Sequence, residues 1–207
     1  NRKSYWKEIK KVCCTLKSLE NIEINGNCAI HIHTDKGIYM HLEEYINLLK
    51  LWMLYEDIIY RFSYGEKNEP RYLIFKYAKP ISYYIYSILD KLDRVETFED
   101  LIKLFNDRRL GLNLTNASTI EVRTYNGTLN ENIIQNEVLF NENLLYYAKT
   151  DRFDREFIDY KIRMYSNIFI NDSIIEKTTK AQELANLIFN DELDRDSFLS
   201  QYCKRKN

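Results

Sequence analysis

Two short segments of the chain carry ionisable side chains at the alternating spacing of a β-strand. His31 and His33 are separated by one isoleucine, and Glu121 and Arg123 are separated by one valine. Because residues two apart on a strand share a face, each segment predicts an apolar back and an ionisable front. Imidazole and carboxylate groups bind divalent metal ions, and the planar arginine cation binds phosphate or carboxylate. If both strands belong to one sheet, their fronts predict a site for metal and phosphate.

Each pair also has a simpler interpretation when it is taken alone. A His-x-His strand is compatible with an exposed polar face, and a Glu-x-Arg strand with a surface ion pair that contributes little to stability. Strict alternation also places Tyr125 on the same face as Glu121 and Arg123. The metal-site interpretation therefore depends on the elements that bring the two strands together.

Hydrophobic periodicity predicts an α+β fold, with a mainly antiparallel sheet backed by helices. Strand patterns cover residues 28–34, 110–114 and 119–125. Helical patterns cover residues 4–19, 42–62, 80–92, 97–106, 130–148, 154–166, 178–189 and 194–203. The chain is more charged towards its end, so the prediction is an α+β domain over residues 1–150 and a charged helical C-terminal extension over residues 151–207.

Composition excludes several classes of protein. With 207 residues, 45% hydrophobic and 29% charged, the chain has the composition of a globular domain and not of a disordered segment. The net charge of −1 argues against nucleic acid as a partner, although 17 tyrosines and the basic residues 204–206 could contact it. The sequence contains no apolar run of membrane-spanning length and no CxxC pair or secretory signal, so we expect a cytoplasmic protein that does not bind membranes.

The two ionisable segments together resemble motifs of the amidoligase family, within the glutamine synthetase / glutamate–cysteine ligase superfamily. Cys-Ala-Ile-His-Ile-His at residues 28–33 resembles the histidine strand of that superfamily. Ile-Glu-Val-Arg-Thr-Tyr-Asn-Gly-Thr-Leu-Asn at residues 120–130 resembles its glutamate–arginine strand, which continues in the family as an aromatic residue, Asn-Gly-Thr-Leu and a helix. Asn113 and residues 77–80 also resemble the residues that the family has at the corresponding positions. The resemblance spans residues 5–150 and implies part of a glutamine synthetase-like catalytic fold.

The resemblance implies an ATP-dependent carboxylate–amine ligase that forms an amide through an acyl phosphate. His31 and Glu121 would bind Mg²⁺ or Mn²⁺, and His33 would lie near the nucleotide phosphates. Arg123 would hold a phosphate or the substrate carboxylate, so that Arg123 and Glu121 are the expected catalytic residues. The carboxylate and amine substrates would be small molecules or peptides.

Three further residues are candidates for binding nucleotide or substrate. Arg71 and Lys79 are cations between the two motifs that could reach phosphate, although solvation at the surface explains them as well. Asn126 could orient the substrate, although an Asn-Gly pair is also a common turn signal.

The sequence departs from the family pattern at its beginning. The family opens with a strand that carries Gly-x-Glu-x-Glu, and this sequence has no such pattern. Mg²⁺ requires near-octahedral oxygen coordination, which one His and one Glu do not provide. We therefore expect either a chain truncated at its N-terminus, whose site a preceding segment or a partner completes, or a degenerate, non-catalytic interaction module on the same fold. In both cases the isolated 207-residue chain should be inactive or very weak.

Overall fold

The computed structural model describes residues 2–39, 41–67, 69–164 and 177–203, and it has an α+β fold, as predicted. Its strands are β1 (Ile32–Asp35), β2 (Leu112–Asn113) and β3 (Thr119–Val122). Its helices are α1 (Arg2–Lys17), α2 (Leu42–Ser63), α3 (Ile74–Tyr77), α4 (Ile85–Leu92), α5 (Phe98–Leu104), α6 (Glu131–Tyr147), α7 (Arg155–Met164), α8 (Thr178–Ile188) and α9 (Glu192–Tyr202). The predicted helical residues 165–166 and the basic residues 204–206 lie outside the described residues.

The three strands form one antiparallel sheet in the order β1-β3-β2. In the register of this sheet, Glu121 of β3 lies opposite His33 of β1 on one side and opposite Asn113 of β2 on the other. The back of the sheet carries Ile120 and Val122 into the hydrophobic core. Glu121 is therefore the central residue of the front face.

A β-bulge interrupts the pairing of β3 with β1 just beyond Val122. Ile32 pairs with Val122 and Ala29 pairs with Asn126, so three residues of the β3 segment oppose two of the β1 segment. An extra residue of this kind reverses the alternation of side chains. Tyr125 consequently lies in the core, where its hydroxyl donates to Asn141 of α6 at 3.0 Å. The prediction that Tyr125 shares a face with Glu121 was wrong.

Helix α2 forms the centre of the molecule, and all of its residues from position 48 to position 63 are buried. Burial on all sides requires that its charged side chains be paired. Lys50 forms ion pairs with Asp93 at 2.7 Å and with Asp159 of α7 at 2.8 Å. Asp57 accepts from Lys177 and from Lys180 of α8, both at 2.7 Å. These ion pairs connect α2 to the helices that follow it in the chain.

A buried carboxylate of α2, that of Glu56, contacts the segment before α4, which begins later than the sequence predicts. Helicity was expected from Pro80, but α4 begins at Ile85. The backbone N–H groups of Ile81 and Ser82 donate to the buried Glu56 carboxylate of α2 at 2.8 and 2.7 Å. These contacts hold the chain against α2, and a short 3-10 helix, Ser82–Tyr84, precedes α4.

The helices of the predicted C-terminal extension pack against α2 and α6. Ile158, Leu184, Phe198 and Tyr202 belong to the same hydrophobic cluster as Trp52. The division at residue 150 stays a prediction about the organisation of the chain. None of the described helices combines the length and the apolar character that crossing a membrane requires.

Candidate functional site

The front of the sheet brings the four residues of the two ionisable segments together. Glu121 Oε1 lies 2.9 Å from His31 Nδ1, 3.6 Å from His33 Nε2 and 2.5 Å from Arg123 Nη1. His33 pairs with Glu121 in the register of the sheet, and His31 lies two residues from Ala29, which bridges Asn126 beyond the bulge. Both imidazoles reach the same carboxylate oxygen. The structure thus places two imidazoles and one guanidinium around a single carboxylate.

Two asparagine side chains hold the Glu121 carboxylate in a fixed orientation. Its Oε2 atom accepts from Asn113 Nδ2 at 2.8 Å and from Asn116 Nδ2 at 3.1 Å. Burial raises the pKa of Glu121, but these hydrogen bonds and the Arg123 charge outweigh burial, and the net pKa lies below its ordinary value. The group is therefore a carboxylate at neutral pH, with Oε2 occupied and Oε1 directed at the imidazoles.

The orientation of His33 suits a metal ligand. Its Nδ1 atom lies 3.0 Å from Thr119 Oγ1. When Nδ1–H donates to that hydroxyl, the Nε2 lone pair faces Glu121 Oε1, and two acceptors lie 3.6 Å apart. A cation between the two acceptors would relieve this repulsion, and second-shell partners such as Thr119 orient ligating histidines in the same way.

His31 is the second imidazole of the cluster. Burial and the nearby Arg123 charge lower the pKa of His31, against the opposing effect of Glu121. The side chains of His31 and His33 are 34% and 47% exposed, so a ligand can reach both. One ligand atom from each of His31, His33 and Glu121 lies within 4.8 Å of the others, a spacing that can hold a metal ion.

Arg123 and Arg71 have different roles around the bulge. Arg123 Nε donates to the carbonyl of Tyr77 at 3.1 Å, which holds the guanidinium beside Glu121. Arg71 is buried, and its two terminal nitrogens donate to the carbonyls of Tyr125 at 2.8 Å and Arg123 at 2.9 Å. Arg71 thus supports the backbone of the bulge, and these contacts turn its guanidinium towards the backbone.

Asn126 holds the segment that follows α2. Its Nδ2 atom donates to the carbonyls of Tyr64 at 3.1 Å and Glu69 at 2.8 Å, and its Oδ1 accepts from Arg71 N at 3.0 Å. These three backbone groups occupy the side chain of Asn126 in the structure. Its role in orienting a substrate stays a prediction. Next to it, Gly127 has no room for a side chain: a Cβ there would lie 2.5 Å from Cys28 Cβ.

Lys79 lies next to the segment that leads into β2. Its ammonium pairs with Asp107 at 2.7 Å, and its backbone bridges Leu110 beside β2.

Sequence reasoning did not identify Asn116 or Thr119 as parts of the site. Asparagine and threonine are so frequent in turns that only their position beside a functional strand could have indicated a role.

A carboxylate, two imidazoles and a guanidinium on one face of an antiparallel sheet define a candidate site for a metal ion and a phosphate. Residues 3–145 match the family model described as "putative amidoligase enzyme". Because the match covers more than half of the chain, the chain belongs to this family, and a ligase is the type of function that the match supports. No curated protein matches the chain, and no solved structure matches it.

Proposed function

We propose that the chain is, or forms the major part of, an ATP-dependent carboxylate–amine ligase. The convergence of His31, His33 and Arg123 on Glu121 is the observation that carries this proposal, and membership of the amidoligase family supports it. In the proposed reaction the γ-phosphoryl group of ATP is transferred to an oxygen of the substrate carboxylate, which releases ADP. The amine nitrogen then attacks the acyl carbon, inorganic phosphate leaves, and the nitrogen loses its proton to give the amide.

The chain's own donors fit a divalent transition-metal ion. Two imidazole nitrogens and one carboxylate oxygen form a mixed set that suits Mn²⁺ better than Mg²⁺, because Mg²⁺ prefers oxygen ligands in near-octahedral geometry. His31, His33 and Glu121 would hold the ion. When bound, it would neutralise charge on the phosphate oxygens.

Three ligands leave coordination positions open. Phosphate oxygens, water or carboxylates from another segment or a partner chain would take those positions. Asn113 and Asn116 contribute by fixing the Glu121 carboxylate, so that Oε1 keeps its direction when a ligand binds.

Arg123 is the residue proposed to bind the reacting anion. Its Nε is fixed on the Tyr77 carbonyl, so its terminal nitrogens point along the front of the sheet beside Glu121. A guanidinium in that position would bind the phosphoryl group or the substrate carboxylate and stabilise the charge that develops during transfer. The arrangement requires little reorganisation, because Arg71 supports the backbone that carries Arg123.

Calorimetric titration of ATP with and without Mn²⁺ tests the proposal. We expect Mn²⁺ to strengthen ATP binding, and Glu121→Gln to remove most of that gain, about tenfold or more in affinity. Glu96→Gln is the matched control, since it removes an exposed carboxylate elsewhere. If ATP binding is independent of Mn²⁺, or is unchanged in Glu121→Gln, the ligase proposal is wrong. The non-catalytic interaction module on the same fold is then the better hypothesis.

A further inference from the structure

A second cluster of charged residues flanks β2 in the chain. The loop that precedes β2 and the turn that follows it form an open cleft of about 560 Å³. Its lining residues are Asn106, Asp107, Arg108, Arg109 and Thr115. No residue of this lining belongs to the sites that the two strand motifs predict.

Two hydrogen bonds connect the cleft to Glu121 and so to the residues around its carboxylate. Thr115 Oγ1 donates to Asn113 Oδ1 at 2.8 Å, and Asn113 Nδ2 donates to Glu121 Oε2 at 2.8 Å. The wall of the cleft and the central carboxylate therefore share one asparagine. A ligand that extends from the cleft along the front of the sheet would arrive beside Glu121.

The cleft has an excess of positive charge, although the whole chain has a net charge of −1. The Asp107 carboxylate accepts from Lys79 Nζ at 2.7 Å and from Arg109 Nε at 3.1 Å. Burial raises the pKa of Asp107, but these donors outweigh burial and hold it well below its ordinary range. One carboxylate thus organises two cations, and the adjacent Arg108 adds a third.

Arg108 is exposed, and none of the contacts among the described residues pairs its guanidinium with a carboxylate. The loop that carries it is held by backbone hydrogen bonds, from Lys79 N to the Arg109 carbonyl at 2.6 Å and from Gly111 N to the Lys79 carbonyl at 2.8 Å. An exposed guanidinium on a loop held in this way can bind phosphate oxygens in a bidentate manner without first breaking an ion pair.

We propose that this cleft binds the polyphosphate chain of a nucleoside triphosphate, with Arg108 and Arg109 as its phosphate-binding residues. The inference rests on the proposed function, because the terminal phosphate would then reach the cluster formed by Glu121 and the two histidines. Lys79, a predicted nucleotide-binding residue, would contribute positive charge from its ion pair with Asp107.

The test measures binding of ATP and of inorganic tripolyphosphate by calorimetry in a metal-free buffer, where the cluster around Glu121 has no ion to contribute. We expect Arg108→Ala to weaken both ligands about tenfold or more, which is the usual effect of removing a charged hydrogen-bond donor. Arg109→Ala should act in the same direction. Arg94→Ala removes an exposed arginine elsewhere and should leave both affinities within about twofold of wild type.

The outcomes separate this inference from the proposed function. If wild type, Arg108→Ala and Arg94→Ala bind each ligand with the same affinity, the cleft is not a phosphate-binding site and the inference is wrong. Tripolyphosphate binding that depends on Arg108, with no binding of ATP, would overturn the nucleotide as its ligand. If binding of both ligands depends on Arg108 while Mn²⁺ adds nothing in wild type, the cleft stands and the ligase proposal fails.

Discussion

Glu121 lies directly opposite His33 in the pairing of β3 with β1, and its Oε1 atom is 3.6 Å from His33 Nε2. The family resemblance implies that His33 lies near the nucleotide phosphates, whereas this geometry would allow it to be a third ligand for the metal ion that His31 and Glu121 are expected to bind. The two roles differ in whether His33 matters when no nucleotide is present.

We expect His33→Gln to weaken binding of Mn²⁺ alone by about tenfold or more, because one of three ligands is lost. Free Mn²⁺ can be measured by electron paramagnetic resonance in the absence of ATP. His41→Gln is the matched control, since His41 is exposed at the start of α2. Unchanged Mn²⁺ affinity together with weaker ATP binding would support the phosphate role instead.

Gly127→Ala should destabilise the fold because a Cβ at position 127 would lie 2.5 Å from Cys28 Cβ and 2.9 Å from its carbonyl carbon. Backbone would have to move, at a cost of about 1–3 kcal/mol in the free energy of unfolding. Urea denaturation followed by circular dichroism measures this cost. Gly26→Ala is the control, since its Cβ would meet Tyr72 Cβ at an ordinary 3.5 Å. Equal stability of the two variants would contradict the close approach.

The stability of the protein should depend on pH through Glu56. Burial raises the pKa of Glu56 to about 7, against the effect of its hydrogen bonds from Ser82, Ile81 and Trp52. Because the pKa in the folded state lies above that in the unfolded chain, the stabilising contribution is complete below the unfolded pKa. It is lost as the pH rises through about 7.

The free energy of unfolding of the wild type should therefore rise between pH 8 and pH 5 relative to that of Glu56→Gln, by on the order of 3 kcal/mol. Urea titrations of both proteins at several pH values measure this difference. Burial also raises the pKa of Glu137, but that residue is present in both proteins and its effect cancels. Parallel pH profiles would mean that the Glu56 pKa is not raised.

Phe198→Ala tests whether the helices after residue 150 form a separate unit. The Phe198 ring stacks on Phe140 of α6 at 5.2 Å and contacts Phe62 of α2 at 4.8 Å, measured between ring centroids. Removing it should cost about 3–5 kcal/mol and shift a single unfolding transition of the whole molecule. Leu193→Ala is the control, because Leu193 of the same helix is 75% exposed. Two transitions, with only one shifted, would instead support an independent C-terminal extension.

The elements of this fold were largely predictable because their signals are local. The helix over residues 42–62 has apolar residues on every side, and the structure buries the corresponding α2 almost completely. Likewise, Thr97 was predicted to open a short helix and does so by accepting from Asp100 N at 3.2 Å. Capping and periodicity involve residues within a few positions of one another, so the sequence carries them directly.

The candidate site was predictable only in part. Alternation in two segments indicated that His31, His33, Glu121 and Arg123 belong to ionisable faces. It could not indicate that Asn113 and Asn116 would orient the carboxylate, or that Lys79 would pair with Asp107. Those contacts depend on which strands are neighbours and in which register, and residues far apart in the chain determine both.

The sequence by itself determined the side-chain chemistry of this protein and the face of each strand on which it lies, because a period of two residues is a local property. Only the tertiary structure decided that the two faces meet at one oxygen of Glu121. It also decided that a bulge turns Tyr125 into the core. Strand pairing and bulges arise from long-range hydrogen bonds and from the packing of the sheet on α2, and no short segment encodes them.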